Sequence, residues 1–265
     1  MLKYGSATLE GEMARIIVFV NQKGGVGKTT SAINIGATLA LHHKKTLLID
    51  FDPQGNLTSG IGGKLTHNNI YHVISGLTDI KSVIQPLPVP RLFLAPSSVD
   101  LSGATIELVD KPDRNDYLRR AIAPVLDEYE FILIDCPPSL GILTLNGLAA
   151  ATEVIIPLQC EYFALEGLSL IIQTIGLVQK SINPNLKIGG ILLTMFDVRN
   201  RLSHRVVEEV RGHFGNKVFK TVIPRNVRIS ESPSHGLPII LYDVKSRGAV
   251  AYMDLAHEIL YNGRA

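Results

Sequence analysis

Val20-Asn21-Gln22-Lys23-Gly24-Gly25-Val26-Gly27-Lys28-Thr29-Thr30 lies between a short apolar run, Ile16–Val20, and an apolar helical pattern that leads on from Thr30. A glycine-rich turn between strand and helix is a phosphate cradle. Glycines let the backbone bend so that several N–H groups face one anion, and the helix N-terminus adds partial positive charge. Lys28 is expected to reach the β and γ phosphates of a nucleotide, and the Thr29 hydroxyl to ligate Mg²⁺. The ordinary pattern carries a glycine five places before Gly27. Here that place is Gln22, and an additional lysine, Lys23, follows it.

Working outward, short apolar runs alternate with helical patterns. The runs are Ile16–Val20, Thr46–Ile49, Leu92–Leu94, Phe131–Ile134, Val154–Leu158, Ile188–Leu193 and Val218–Ile223. Several are apolar throughout, as strands buried on both faces should be. Helical patterns fall near 28–42, 67–76, 114–127, 139–150, 163–182, 201–214 and 246–261. The alternation predicts an α/β fold, a doubly wound and mostly parallel twisted sheet with helices on both faces. The stretch Gln85–Pro90 is expected to be a stiff, extended connector into the third strand. No repeat or linker is visible, so residues 15–265 are expected to form one domain behind a short flexible tail, 1–14. Met13 is an alternative translation start to Met1.

A phosphate cradle needs an acidic end to position Mg²⁺ and the attacking water. Leu47-Leu48-Ile49-Asp50-Phe51-Asp52-Pro53 and Ile132-Leu133-Ile134-Asp135-Cys136-Pro137-Pro138-Ser139 supply two strand-end candidates. Ligands of doubly wound sheets bind at the carboxyl ends of strands. Asp135 is expected to act on Mg²⁺ through bound water and to accept from Thr29. Asp52, just past its strand, is expected to orient the attacking water, and Asp50 to hold the loop.

The composition is 46% hydrophobic and 19% charged, which suits a buried core. No apolar run approaches the roughly 20 residues of a membrane span. The two cysteines, Cys136 and Cys160, lack a C-x-x-C partner and are expected to be buried rather than metal ligands. Net charge is +2, but residues 196–250 hold ten Lys/Arg against five Asp/Glu, leaving the rest of the chain at −3. That asymmetry is a mild nucleic-acid signal, and a solvated basic face is the alternative.

Lys23 with Gly24-Gly25-Val26-Gly27-Lys28-Thr29, the Asp50–Asn56 segment Asp-Phe-Asp-Pro-Gln-Gly-Asn and the Asp135–Ser139 segment together resemble the deviant Walker A ATPases of the ParA/MinD family. Ile223-Pro224-Arg225-Asn226 is similar to the adenine-holding stretch of the chromosomal ParA (Soj) branch. The resemblance runs from Arg15 to about Leu260. It implies ATP and Mg²⁺ as ligands, slow hydrolysis, and an ATP-bound homodimer in which Lys23 reaches the partner's nucleotide. Pro224 would pack on the adenine and Asn226 hydrogen-bond its edge, with Arg225 beside them. It implies non-specific double-stranded DNA and a ParB-like protein as partners, and a cytoplasmic, nucleoid-associated location. Arg199 and Arg225 match arginines used for DNA in that branch. Arg201, Arg205, Arg228, Lys245 and Arg247 are further candidates from charge alone, each equally readable as a solvated residue.

The alternatives are a MinD-like division-site ATPase, or a partition ATPase that positions a plasmid or protein cargo. MinD-like proteins bind membrane through a basic amphipathic C-terminal helix. Ala249–Tyr261 carries Asp254 and Glu258 and no Lys or Arg, so it is expected to pack on the sheet, with no membrane partner.

Overall fold

The computed structural model describes residues 14–162 and 164–261. The expected tail lies outside these residues except for Ala14, which is buried in the core. In chain order the elements are β1 (Arg15–Phe19), α1 (Lys28–Leu41), β2 (Thr46–Asp50), α2 (Asn56–Gly60), α3 (Ile70–Ile74), α4 (Ile80–Val83), β3 (Gln85–Pro86), β4 (Leu92–Ala95), α5 (Leu101–Glu107) and α6 (Tyr117–Ile122). Then follow β5 (Phe131–Asp135), α7 (Ile142–Ala150), β6 (Glu153–Gln159), α8 (Ala164–Ser181), β7 (Lys187–Thr194), α9 (Arg201–Phe214), α10 (Val227–Glu231), α11 (Ile239–Tyr242) and α12 (Arg247–Tyr261). Residue 163, where the α8 pattern was expected to begin, lies outside the described residues.

The strands form one sheet in the order β3-β4-β2-β5-β1-β6-β7. All pairings are parallel except that of the two-residue β3 with β4. The doubly wound α/β expectation therefore holds. Side chains alternate along β1. Ile17 and Phe19 enter the layer formed with α1 and α12, while Ile16, Val18 and Val20 enter the layer that includes α5 to α9. Both faces are covered, which is why the strand sequences are apolar without alternation. The approach of α1 to the sheet depends on Gly36, because a Cβ there would lie 2.6 Å from Leu48 Cδ2.

Two expectations need correction. Val218–Ile223 is not a strand. It touches β7 only at isolated points, such as Phe219 N–H to Ile191 O at 3.0 Å and Ile223 N–H to Leu193 O at 2.9 Å. Between them the N–H groups of Lys220 and Thr221 turn to the Glu258 carboxylate, at 2.7 and 3.1 Å. The Phe219 ring lies where a Cβ on Gly190 would be. The apolar run is thus used as a packing segment, and its amides are satisfied by α12. Conversely, the Pro-rich connector carries a strand of its own. Gln85–Pro86 pairs antiparallel at the sheet edge, a position that tolerates proline.

The helix expected over 114–127 begins at Tyr117 and passes at Ala123 into a 3₁₀ segment to Glu128, with Pro124 near its start. The 67–76 pattern shortens to Ile70–Ile74, started by Asn69, whose side chain accepts from Tyr71 N–H. The short α2, α4, α5, α10 and α11 have no counterpart in the periodicity, because so few turns cannot establish one.

Register places the site. Asp50 of β2 and Phe19 of β1 both lie level with Asp135 of β5. The glycine-rich loop and both acidic segments therefore leave the sheet at one end, side by side. From β1 the chain crosses to β2 on one flank, and from β5 it crosses to β6 on the other. The loop sits at this reversal of strand order.

Candidate nucleotide site

The loop is pinned from β6 and β7. Asn21 Oδ1 accepts from Lys23 N–H at 2.9 Å, and Asn21 Nδ2 donates to Pro157 O at 2.7 Å. Thr194 Oγ1 donates to Val26 O at 2.9 Å. Gly25 and Gly27 have φ of 73° and 92°, a region that favours glycine and turns successive amides inward. Gly27 then caps α1 directly.

Lys28 is buried, and its Nζ donates to Lys23 O at 3.4 Å. Burial pulls its pKa below the ordinary lysine value, opposed by the charges of Asp135 and then Asp52. Thr29 Oγ1 donates to Asp135 Oδ2 at 2.6 Å. Asp135 is fully buried, and its Oδ1 has no hydrogen-bond partner among the described residues. Burial, with the nearby Asp50 carboxyl next, holds Asp135 well above the usual carboxylate range. A buried carboxylate oxygen left unpaired carries a desolvation cost. Beside a hydroxyl and facing the loop, it is a hard oxygen donor of the kind Mg²⁺ takes. These residues fit that ion.

Asp50 Oδ2 accepts from Thr58 N–H at 2.8 Å and from Thr58 Oγ1 at 2.7 Å, and Oδ1 accepts from Asp52 N–H at 3.3 Å. It holds the loop, as expected from sequence. Burial pushes its carboxyl up to about 6. Asp52 is nearly buried at 6% exposure, and its Oδ1 accepts from Gln54 N–H at 3.0 Å. Cys136 and Cys160 are both buried, and burial raises both thiols.

Lys23 differs from Lys28. Its side chain is 57% exposed and its Nζ pairs with Glu161 Oε2 at 2.5 Å. Glu161 is absent from the sequence reading. Its signal was available, a carboxylate two residues beyond the end of β6 at the same edge of the sheet.

Pro224 and Arg225 are brought to this end by Phe196. Arg225 N–H donates to Phe196 O at 2.9 Å, and Pro224 bridges Phe196 in parallel. Asn226 Oδ1 is engaged as the N-cap of α10, accepting from Arg228 N–H at 2.9 Å. This use was not foreseen, although Asn before a helical turn is its signature. Gly248, at the start of α12, packs so tightly that a Cβ would lie 2.5 Å from Ile229 Cγ1. That contact fixes Arg247 beside α10.

The basic candidates are not equivalent. Arg199, with 86% of its side chain exposed, makes a two-point pair with Asp197. Arg228 is shared between Glu231 at 2.9 Å and Asp243 at 3.4 Å. Arg225 and Arg247 are exposed, as are Arg201, Arg205 and Lys245. A surface depression of about 760 Å³, lined by residues such as Lys111, Arg114, Arg119 and Ser181, contains none of the expected site residues. Among the described residues no helix is long and apolar enough to cross a membrane. The α12 helix buries Tyr252, Leu255, Ala256 and Ile259, and Tyr252 Oη meets Ser31 Oγ of α1 at 3.3 Å. It packs on the body of the fold, as expected.

Residues 14–188 match the AAA domain family. The chain is 61% identical over 249 residues to the chromosome-partitioning ATPase Soj of Treponema pallidum, covering 94% of this chain and 98% of that one. It is 52% identical to the sporulation initiation inhibitor protein Soj of Bacillus subtilis, covering 95% and 100%. Among solved structures it resembles a Mycobacterium smegmatis cobyrinic acid a,c-diamide synthase with bound ADP and magnesium, at 36% identity, 96% of each chain and a TM-score of 0.84.

Proposed function

The chain belongs to the Soj/ParA family of chromosome-partitioning ATPases, and on that premise we propose that it is an ATP-driven DNA-segregation switch. ATP with Mg²⁺ occupies the cradle, two copies close on two nucleotides, and the closed dimer binds non-specific DNA. A ParB-like partner stimulates hydrolysis to ADP and phosphate, and the dimer opens. The protein then works in the cytoplasm, on the nucleoid, as one ATPase domain from residue 15 to 265.

One observation carries this reading above all. Asp135 Oδ1 is buried without a partner among the described residues, beside Thr29 and Lys28. A fold keeps such an uncompensated acid where a ligand satisfies it. Thr29 and Asp135 would hold Mg²⁺, the latter through water. When bound, the ion supplies positive charge to the β and γ phosphate oxygens.

Phosphoryl transfer depends on positioning and charge neutralisation more than on covalent help. The loop amides from Gln22 to Thr30, apart from that of Lys23, which Asn21 Oδ1 holds, and the Lys28 ammonium take the phosphates. Phosphate anions restore Lys28 toward its ordinary pKa by adding negative charge beside it. Asp52 orients the attacking water, and Asp50 holds it in place by fixing the turn. Lys23 faces solvent rather than its own cradle, in keeping with a contact to the second copy's nucleotide. Pro224 and Asn226 hold the adenine, and the Asn226 amide nitrogen remains for the base edge while Oδ1 caps α10.

Dimerisation doubles the basic surface, and each phosphate contact adds counterion release. Arg199, Arg225, Arg228 and Arg247 are all exposed, and Arg225 and Arg228 belong to the segment that Phe196 brings to this end. Arg199 and Arg225 lead, and Arg228 follows because it already has two carboxylate partners. The test is retention on non-specific DNA with ATP, ADP and no nucleotide. Retention with ATP alone is expected. Equal retention in all three states would reject the switch.

A further inference from the structure

Lys23 and Glu161 stand 138 positions apart in sequence, yet both are set by pinned backbone. Lys23 N–H is held by Asn21 Oδ1, and Lys23 O accepts from Lys28 Nζ. Glu161 N–H donates to Gln159 O at 2.8 Å, and Glu161 O accepts from Ala164 N–H at 3.0 Å, in the turn from β6 to α8. Both carboxylate oxygens are engaged, Oε2 by Lys23 Nζ and Oε1 by Gln159 Nε2. The pair is open to solvent, with side chains 57% and 49% exposed. A second protein could therefore reach it without unfolding anything.

We propose that Glu161 is a latch on Lys23, an ion pair within one copy that opens before Lys23 engages the phosphates of a second copy. The proposal rests on the reading of Lys23 as acting across a dimer. While the pair is closed, the lysine charge is cancelled and a carboxylate faces the incoming triphosphate, where like charges repel. An exposed ion pair shifts an equilibrium by up to about 5-fold. A symmetric dimer opens two of them, so the combined effect reaches about 25-fold. Such a latch sets the threshold for dimerisation and does not forbid it. The phosphates of two nucleotides outweigh two screened surface carboxylates.

The test is Glu161→Gln, which keeps the shape and a hydrogen-bonding amide but removes the charge. The dimer dissociation constant is measured by sedimentation with a non-hydrolysable ATP analogue and Mg²⁺, alongside Lys23→Ala and the double variant. Glu161→Gln is expected to tighten the dimer by up to about 25-fold, with unchanged nucleotide affinity in the monomer. The gain should shrink at about 1 M salt, where the screening length is about 3 Å. In the Lys23→Ala background, Glu161→Gln should not restore the dimer. A Glu161→Gln dimer that is unchanged or weaker, with Lys23→Ala monomeric, overturns the latch and leaves the trans contact standing. A Lys23→Ala protein that dimerises like the wild type removes the trans contact, and the latch with it.

Discussion

Asp50→Asn should change how stability depends on pH, and the size of the change follows from where Asp50 lies. The side chain is fully buried, level with Asp135 across two parallel strands, and its pKa rises from 3.8 to about 6. Below the unfolded value the carboxyl is neutral in both states and costs nothing. Between 3.8 and about 6 the unfolded chain gives up the proton while the fold retains it, so stability falls as pH rises. Above the folded value both states are ionised and the penalty is complete. At 1.36 kcal/mol per pKa unit, the penalty is about 3 kcal/mol, with no discount for solvent because the group is buried. Asparagine at this position carries no such penalty. It does disturb the bonds to Thr58 and to Asp52 N–H, at about 1 kcal/mol each.

The variant should therefore be the less stable protein near pH 4 and approach or overtake the wild type near pH 7. Losing the Asp50 charge also relieves Asp135, which moves the difference in the same direction. Urea unfolding of both proteins from pH 4 to 7, with chelator present, measures it. A stability difference that stays constant across that range would refute the argument.

Asp52→Ala should leave nucleotide binding intact and abolish hydrolysis, trapping the ATP-bound dimer, as read by sizing with ATP against single-turnover phosphate release. Arg225→Glu and Arg199→Glu should remove DNA retention while nucleotide affinity survives. Arg228→Glu should also lose its contacts to Glu231 and Asp243, so a milder Arg228→Gln is the better probe, and its effect on DNA retention should be the smaller. Gly36→Ala should destabilise the fold by about 1–3 kcal/mol in urea unfolding, because the new methyl meets Leu48 Cδ2 at 2.6 Å and Leu133 Cδ1 at 3.2 Å in a full core.

The nucleotide end was legible in sequence because its chemistry is local. Glycines at Gly25 and Gly27, a lysine and threonine opening a helix, and acids closing apolar runs are each fixed by a few neighbouring residues. The run at Val218–Ile223 was misread because apolar composition reports burial without reporting pairing. Its amides found Glu258 and isolated points on β7, and no local pattern records that choice. The basic residues were legible as a count but not as a surface. Asp197 pairs Arg199, and Glu231 with Asp243 occupies Arg228, while Arg225 and Arg247 carry no such partner among the described residues.

Lys23 divides the two kinds of information most sharply. The sequence by itself determined that a second lysine stands in the cradle, that acids end the second and fifth strands, and that strands and helices alternate into a parallel sheet. Periodicity and short motifs suffice for those, since they depend on residues within a turn or two of each other. Only the tertiary structure decided that Asp135 Oδ1 is left without a partner among the described residues, that Asp50 lies level with Asp135, and that Lys23 leans away to Glu161. Those depend on strand register and on which side of the loop β6 ends, and both are set by the packing of the whole sheet.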